Sequence, residues 1–95
     1  MGLTHMVSSG HYLAAAAGYR ILEQGGNAVD AGVASGIAIN VTLPNATNFG
    51  GVAPIMIYMA DTDRVNTISG LGRWPKSTSL DFYTGELGSN IPKGI

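Results

Sequence analysis

Cysteine is absent from this 95-residue chain, which rules out disulfides, thiolate catalysis and Cys-based zinc sites and leaves the redox compartment open. Charge is scarce as well. Charged residues make up 12% of the chain against 45% apolar residues, whereas ordinary domains carry about 25% charge. The five basic residues, Arg20, Arg64, Arg73, Lys76 and Lys93, are spread along the chain against six acidic ones, for a net charge of −1. No electrostatic footprint for nucleic acid or an anionic membrane is present. Long hydrophobic runs are missing too: Ala31 to Val41 is too short to span a bilayer, and Asn40 interrupts it. Met1 to Ser9 lacks the basic start and apolar run of a signal peptide. Without a secretion signal, the sequons at Asn40-Val41-Thr42 and Asn45-Ala46-Thr47 read as chance matches. The compartment stays open, with the cytoplasm slightly favoured.

The shortage of polar residues implies that much of the surface is covered, either by more of the same polypeptide or by another subunit. A chain this size hides only about 60–70% of its extended surface alone. The expectation is a single partial domain over 1–95. Its class is α/β (α+β), with two helices at about 10–24 and 28–41 followed by a β-hairpin at about 54–69.

In the first helix, Ala14, Ala17, Gly18, Ile21 and Leu22 recur at the spacing of one buried face, and Arg20, Glu23 and Gln24 fall away from it. Ser8 and Ser9 are its candidate N-caps. Gly25 or Gly26 supplies the left-handed residue that ends it. Asn27 then caps a second helix, with Asp30 in the first turn opposing the positive end of the helix dipole. From Ala28 to Val41 that helix is apolar on nearly every side, which predicts burial on both sides. Gly32 and Gly36, four apart, form a ridge that lets another backbone approach. Pro44 lies past the helix end, and Asn45 to Gly51 is a loop. Pro54 to Met59 shows no alternation and predicts a strand buried on both faces. Asp61-Thr62-Asp63 is a turn, and Arg64 to Ser69 the returning strand.

Few residues carry a chemical signal by themselves. Asp61 and Asp63 lack further ligands at metal-binding spacing and fit a solvated turn. His5 and His11 have no supporting pattern for metal binding or catalysis. Asp30 fits a cap better than a catalyst. The glycines in Gly70-Leu71-Gly72-Arg73-Trp74-Pro75 lack the spacing and strand-to-helix setting of a phosphate-binding loop. The last twenty residues show little periodicity, with a turn signal at Pro92-Lys93-Gly94 just before Ile95.

One string is more specific: Ile21-Leu22-Glu23-Gln24-Gly25-Gly26-Asn27-Ala28-Val29-Asp30-Ala31. Met6-Val7-Ser8-Ser9 precedes it. The Ala-rich helix, Pro44 and the loop Asn48-Phe49-Gly50-Gly51 follow it in order, leading into Ile55-Met56-Ile57-Tyr58. From about Met6 to Pro75 this order resembles the N-terminal part of the large subunit in the gamma-glutamyltransferase (gamma-glutamyltranspeptidase) family.

The resemblance implies an N-terminal-nucleophile hydrolase built as an αββα sandwich, of which this chain is an N-terminal fragment. In that family a precursor cleaves itself into large and small subunits. The new N-terminal Thr of the small subunit attacks a gamma-glutamyl amide such as glutathione, with its own α-amine as base. Backbone donors hold the oxyanion. The acyl group passes to water or to an amino acid. The nucleophile lies outside this chain, so Thr4, Thr42, Thr47, Thr62, Thr67, Thr78 and Thr84 read as caps, loop and strand residues. No catalytic residue, metal or cofactor is assigned. The implied partners are the remainder of the polypeptide or a small subunit bearing the Thr, and a gamma-glutamyl substrate, with a homo-oligomer as a further option.

Two departures from the family pattern stand out. Four consecutive glycines are common in the loop, but here the run is Gly50-Gly51-Val52-Ala53. The arginine that pairs with the substrate α-carboxylate falls, when aligned on Pro75, on Leu71, and the nearest arginine is Arg73. A two-residue shift keeps the side of a strand but moves the group by about 7 Å. A guanidinium there still suits a bidentate carboxylate clamp, so Arg73 is the candidate substrate-binding residue. Two alternatives to a gamma-glutamyl enzyme stay open: an acylase of the same fold acting on other amides, and a non-catalytic self-associating module.

Overall fold

The computed structural model describes residues 2–86 and 88; the Pro92-Lys93-Gly94 turn and Ile95 lie outside the described residues. Helix α1 spans Tyr12–Glu23. Its N-cap is His11, whose Nδ1 accepts from the Leu13 N–H at 3.2 Å. The expectation of Ser8 or Ser9 is therefore corrected: the hydroxyls sit two or three residues too early, and the imidazole satisfies an open amide instead. Ala14 and Gly18 are buried, Ala17, Ile21 and Leu22 half-buried, and Arg20, Glu23 and Gln24 exposed, as the helical spacing predicts.

The helix ends in a Schellman motif. The Gly26 N–H donates to the Ile21 carbonyl at 2.9 Å, and the Gly25 N–H to that of Leu22 at 3.1 Å. Gly25 has φ +87°, where a Cβ would be strained. Directly after it, the Asn27 Oδ1 accepts from the N–H groups of Val29 and Asp30, both at 2.9 Å, and opens helix α2, Ala28–Thr42. Among the described residues no bond returns from the Asp30 carboxylate, so Asp30 acts through its position near the dipole rather than by closing a capping box.

The short Gln24–Asn27 link makes α1 and α2 antiparallel neighbours. Gly10 sits beside Ile39 at one end of the pair, and Gly18 faces Ala31 and Ser35 at the other. A Cβ on Gly18 would stand 2.8 Å from the Ala31 carbonyl oxygen, so glycine is what lets the two backbones approach this closely. Ala14, Ala31 and Ser35, at 0%, 3% and 8% exposure, make up the seam. The close approach within this chain thus uses Gly18, whereas a Cβ on Gly32 or Gly36 would meet nothing within 4 Å among the described residues. The expected burial of α2 on both sides is likewise found on one side only: Val33, Ile37 and Val41 are exposed.

The end of α2 is tied by side chains. Thr42 Oγ1 donates to the Ala38 carbonyl at 3.1 Å and Asn40 Nδ2 to that of Gly36 at 2.7 Å. Thr47 Oγ1 reaches the carbonyls of Ile39 and Leu43 at 3.1 and 3.2 Å, holding the following loop against the helix end.

Strands β1, Ile55–Met59, and β2, Arg64–Ile68, form an antiparallel hairpin with Ile55 opposite Ile68 and Met59 opposite Arg64. The turn uses Asp63 at φ 51°, and the Tyr58 hydroxyl donates to its Oδ1 at 3.0 Å. At the open end the Ala53 N–H donates to the Gly70 carbonyl at 3.0 Å. Only Ile57 is half-buried in β1, which corrects the expectation of a strand buried on both faces. Two strands alone supply no layer above or below, and a lone hairpin is marginal in water.

Among the described residues the buried positions, Ala14, Ala31 and Ser35, all belong to the helical pair, and none lies in the hairpin. The radius of gyration is 18.2 Å, against about 12–13 Å for a folded domain of this length. The accessible surface is 8171 Å², against roughly 5,200 Å² for a compact monomer of this mass. The excess is the shape of a part whose exposed apolar faces belong against something else.

Candidate functional site

The hairpin delivers its only candidate binding residue through the segment that leaves β2. Gly70 and Gly72 take left-handed conformations at φ +59° and +71°, on either side of Leu71. Arg73 follows, exposed, with no hydrogen bond or ion pair among the described residues. Beyond it the chain turns back, with the Thr78 N–H donating to the Pro75 carbonyl at 3.0 Å. Ser79 Oγ accepts from the Phe82 N–H at 3.2 Å and opens a short π-helical turn, Phe82–Glu86. Trp74 meets the Tyr83 ring edge-on at 6.3 Å between centroids. These residues, with Pro75, Thr78 and Leu80, line an open cleft whose walls are mainly apolar.

The other residues weighed for chemistry are spoken for elsewhere. His11 is a helix cap. His5 lies beside Tyr19, with ring centroids 4.9 Å apart, and its Nδ1 is 3.1 Å from Thr4 Oγ1. Its Nε2 is buried without a partner among the described residues. Asp61 and Asp63 sit in the exposed turn of the hairpin. No group of three or more metal-ligating side chains occurs among the described residues. Thr42, Thr47 and Thr84 donate to backbone carbonyls, and Thr67 is a strand residue. No helix among the described residues is long and apolar enough to cross a membrane.

The gamma-glutamyltranspeptidase family profile matches residues 14–94, from the seam of α1 through the loop that bears Arg73. The chain belongs to the gamma-glutamyltranspeptidase family. The glutathione hydrolase-like YwrD proenzyme of Bacillus subtilis (strain 168) is 42% identical over 96 residues, covering 100% of this chain and 18% of the relative. Acylase ACY 1 proenzyme of Pseudomonas sp. (strain V22) is 40% identical over 82 residues, covering 86% of this chain and 14% of the relative. Among solved structures, the gamma-glutamyltranspeptidase of Pseudomonas nitroreducens complexed with L-DON superposes with a TM-score of 0.80 at 30% identity, over 93% of this chain and 26% of that one.

The helical pair and hairpin are therefore a fragment of the N-terminal-nucleophile hydrolase fold, and this chain spans 14% to 26% of the length of these relatives. That accounts for the excess surface: the relatives supply several times more polypeptide to cover it.

Proposed function

We propose that this chain is the opening part of one domain in a gamma-glutamyltransferase-like proenzyme. The whole protein hydrolyses or transfers the gamma-glutamyl group of glutathione and related amides. The nucleophile is an N-terminal Thr, freed by self-cleavage, that lies outside this chain, so the 95 residues alone are inactive. The observation that carries the reading is the 42% identity to a glutathione hydrolase-like proenzyme along the whole chain.

Within that enzyme Arg73 contacts the substrate carboxylate. Its support is local: a guanidinium that is exposed and has no carboxylate partner among the described residues, set just beyond two left-handed glycines at the base of a hairpin. A fork of five donors suits bidentate carboxylate binding. The test is release of p-nitroaniline from gamma-glutamyl-p-nitroanilide by the complete protein. Turnover, lost when the small subunit's N-terminal Thr is replaced by Ala, supports the reading; no turnover by a correctly processed protein refutes it.

A second reading is an acylase for other amides, favoured by the 40% identity to an acylase proenzyme and by Leu71 standing where the family pattern has arginine. Higher activity on acyl amides without an α-amino acid head group would favour it. Membership in this enzyme family argues against the self-associating module.

A further inference from the structure

The hairpin ladder continues past the ends of its strands. Ala53 stands opposite Gly70, in the register that pairs Ile55 with Ile68, and the Ala53 N–H donates to the Gly70 carbonyl at 3.0 Å. Gly70 takes φ +59° at this rung, so the chain leaves the sheet there instead of running on as β2. The approach is close: a Cβ on Gly70 would run into the Ala53 carbonyl and lie 3.2 Å from the Pro54 nitrogen. The left-handed φ and the occupied space each demand glycine. At Gly72, φ +71°, only the first demand applies, because a Cβ there would meet nothing within 4 Å among the described residues.

This rung is the last fixed point before Arg73. From Leu71 to Trp74 no hydrogen bond holds the chain among the described residues, and the next tie is the Thr78 N–H on the Pro75 carbonyl. A strand running straight on would carry Arg73 about 17 Å past Ile68. Left-handed glycines on both sides of Leu71 break that line. The direction in which the chain leaves Gly70 therefore sets where the guanidinium stands.

We propose that Gly70 is a positioning residue for substrate binding: its clasp on Ala53 fixes the direction of the segment that carries Arg73, so that the guanidinium meets the substrate carboxylate. The inference rests on the Arg73 reading above and deepens it. Gly70 touches no substrate itself; its effect passes through Arg73. A bidentate carboxylate contact is directional, so a small change in the path of the chain is enough to weaken it.

The test measures kcat and KM for gamma-glutamyl-p-nitroanilide on the complete processed protein carrying Gly70→Ala, Arg73→Ala or both. Gly70→Ala is expected to raise KM about tenfold, part of the weight of a hydrogen-bonded charge, with kcat within about twofold of wild type. The double variant should match Arg73→Ala, because a displaced guanidinium and an absent one lose the same contact. Gly25→Ala is the control for stability alone: it places a Cβ at φ +87° in the stop of α1 and should lower the thermal midpoint without moving KM. If Gly70→Ala does not accumulate as processed enzyme, Ala53→Pro decides. It removes the N–H of the rung, leaves Gly70 intact and should raise KM about threefold; an unchanged KM there overturns the proposal. An unchanged KM in Gly70→Ala, where Arg73→Ala raises it, overturns the Gly70 role and leaves the Arg73 reading standing. KM changes that add in the double variant overturn the role as well, since Gly70 would then act on something other than Arg73. An unchanged KM in Arg73→Ala overturns the Arg73 reading itself, and the Gly70 role with it.

Discussion

Gly18 sets how closely α1 and α2 pack, and adding one methyl group there measures that contact. A Cβ would stand 2.8 Å from the Ala31 carbonyl oxygen, 3.2 Å from Val7 Cγ1 and 3.3 Å from Ser35 Cβ, where ordinary contact begins near 3.4 Å. The backbone carbonyl cannot swing away as a side chain would, so the helices must part by about half an ångström along the seam of Ala14, Ala31 and Ser35. Overpacking of this kind costs about 1–3 kcal/mol. Against it runs the helix propensity of Ala over Gly, worth about 1 kcal/mol. Gly32→Ala in α2 is the matched control. It gains the same propensity, and its Cβ meets nothing within 4 Å among the described residues.

In a peptide covering the helical pair, α-helical circular dichroism during urea titration reads both effects. Gly32→Ala should be neutral or stabilising, and Gly18→Ala should fall below it by about 1–3 kcal/mol. Equal midpoints for the two variants would refute the packing of α1 on α2 through Gly18. In the complete protein the control changes sign if other polypeptide covers the Val33 and Ile37 face: Gly32→Ala then lowers the thermal midpoint.

Further predictions concern helix ends, the loop and the proposed role of Arg73. Asn27→Ala removes the acceptor for two N–H groups and should cost about 1 kcal/mol, while Asn27→Asp keeps most of the stability; thermal melts of the complete protein compare them. Gly25→Ala forces a Cβ into the left-handed region and should cost about 1–2 kcal/mol by the same measurement, with Gly25→Asn milder. Thr47→Val loses the hydroxyl that holds two carbonyls at the end of α2, and should raise amide exchange in the 43–48 loop, with about 1 kcal/mol lost. Arg73→Ala should raise KM for gamma-glutamyl-p-nitroanilide about ten- to hundredfold, the weight of a hydrogen-bonded charge, and Arg73→Lys should recover part of it. An unchanged KM in Arg73→Ala would remove Arg73 from the site.

Local chemistry was the most legible part of the sequence. Gly25, Asn27 and the Ala14–Gly18–Leu22 face act through neighbours within a turn or two, so residue type and spacing suffice to place them. The hairpin was legible for the same reason, from an apolar run, a turn rich in Asp, and a second run. His11 was not, because imidazole is an uncommon cap and two serines stood nearby as better ones by type. Choosing between Gly18 and Gly32/Gly36 for the close contact needs to know which faces meet, and small residues occur on both helices. Burial of β1 and of the outer side of α2 depends on polypeptide beyond these residues. The role proposed for Arg73 depends on it too, since what lies opposite the guanidinium decides whether it meets a substrate. The family signature was legible because it coincides with a demanding piece of backbone: a Schellman stop and an Asn cap in four consecutive residues, Gln24 to Asn27.

The central claim, that these residues open a self-processing proenzyme, is tested most directly by denaturing intact-mass spectrometry of the active protein expressed from its complete gene. The account predicts two copurifying chains, the larger containing these 95 residues and the smaller beginning with Thr. A single uncleaved species with full activity, or a lone 9.8 kDa chain, would contradict it.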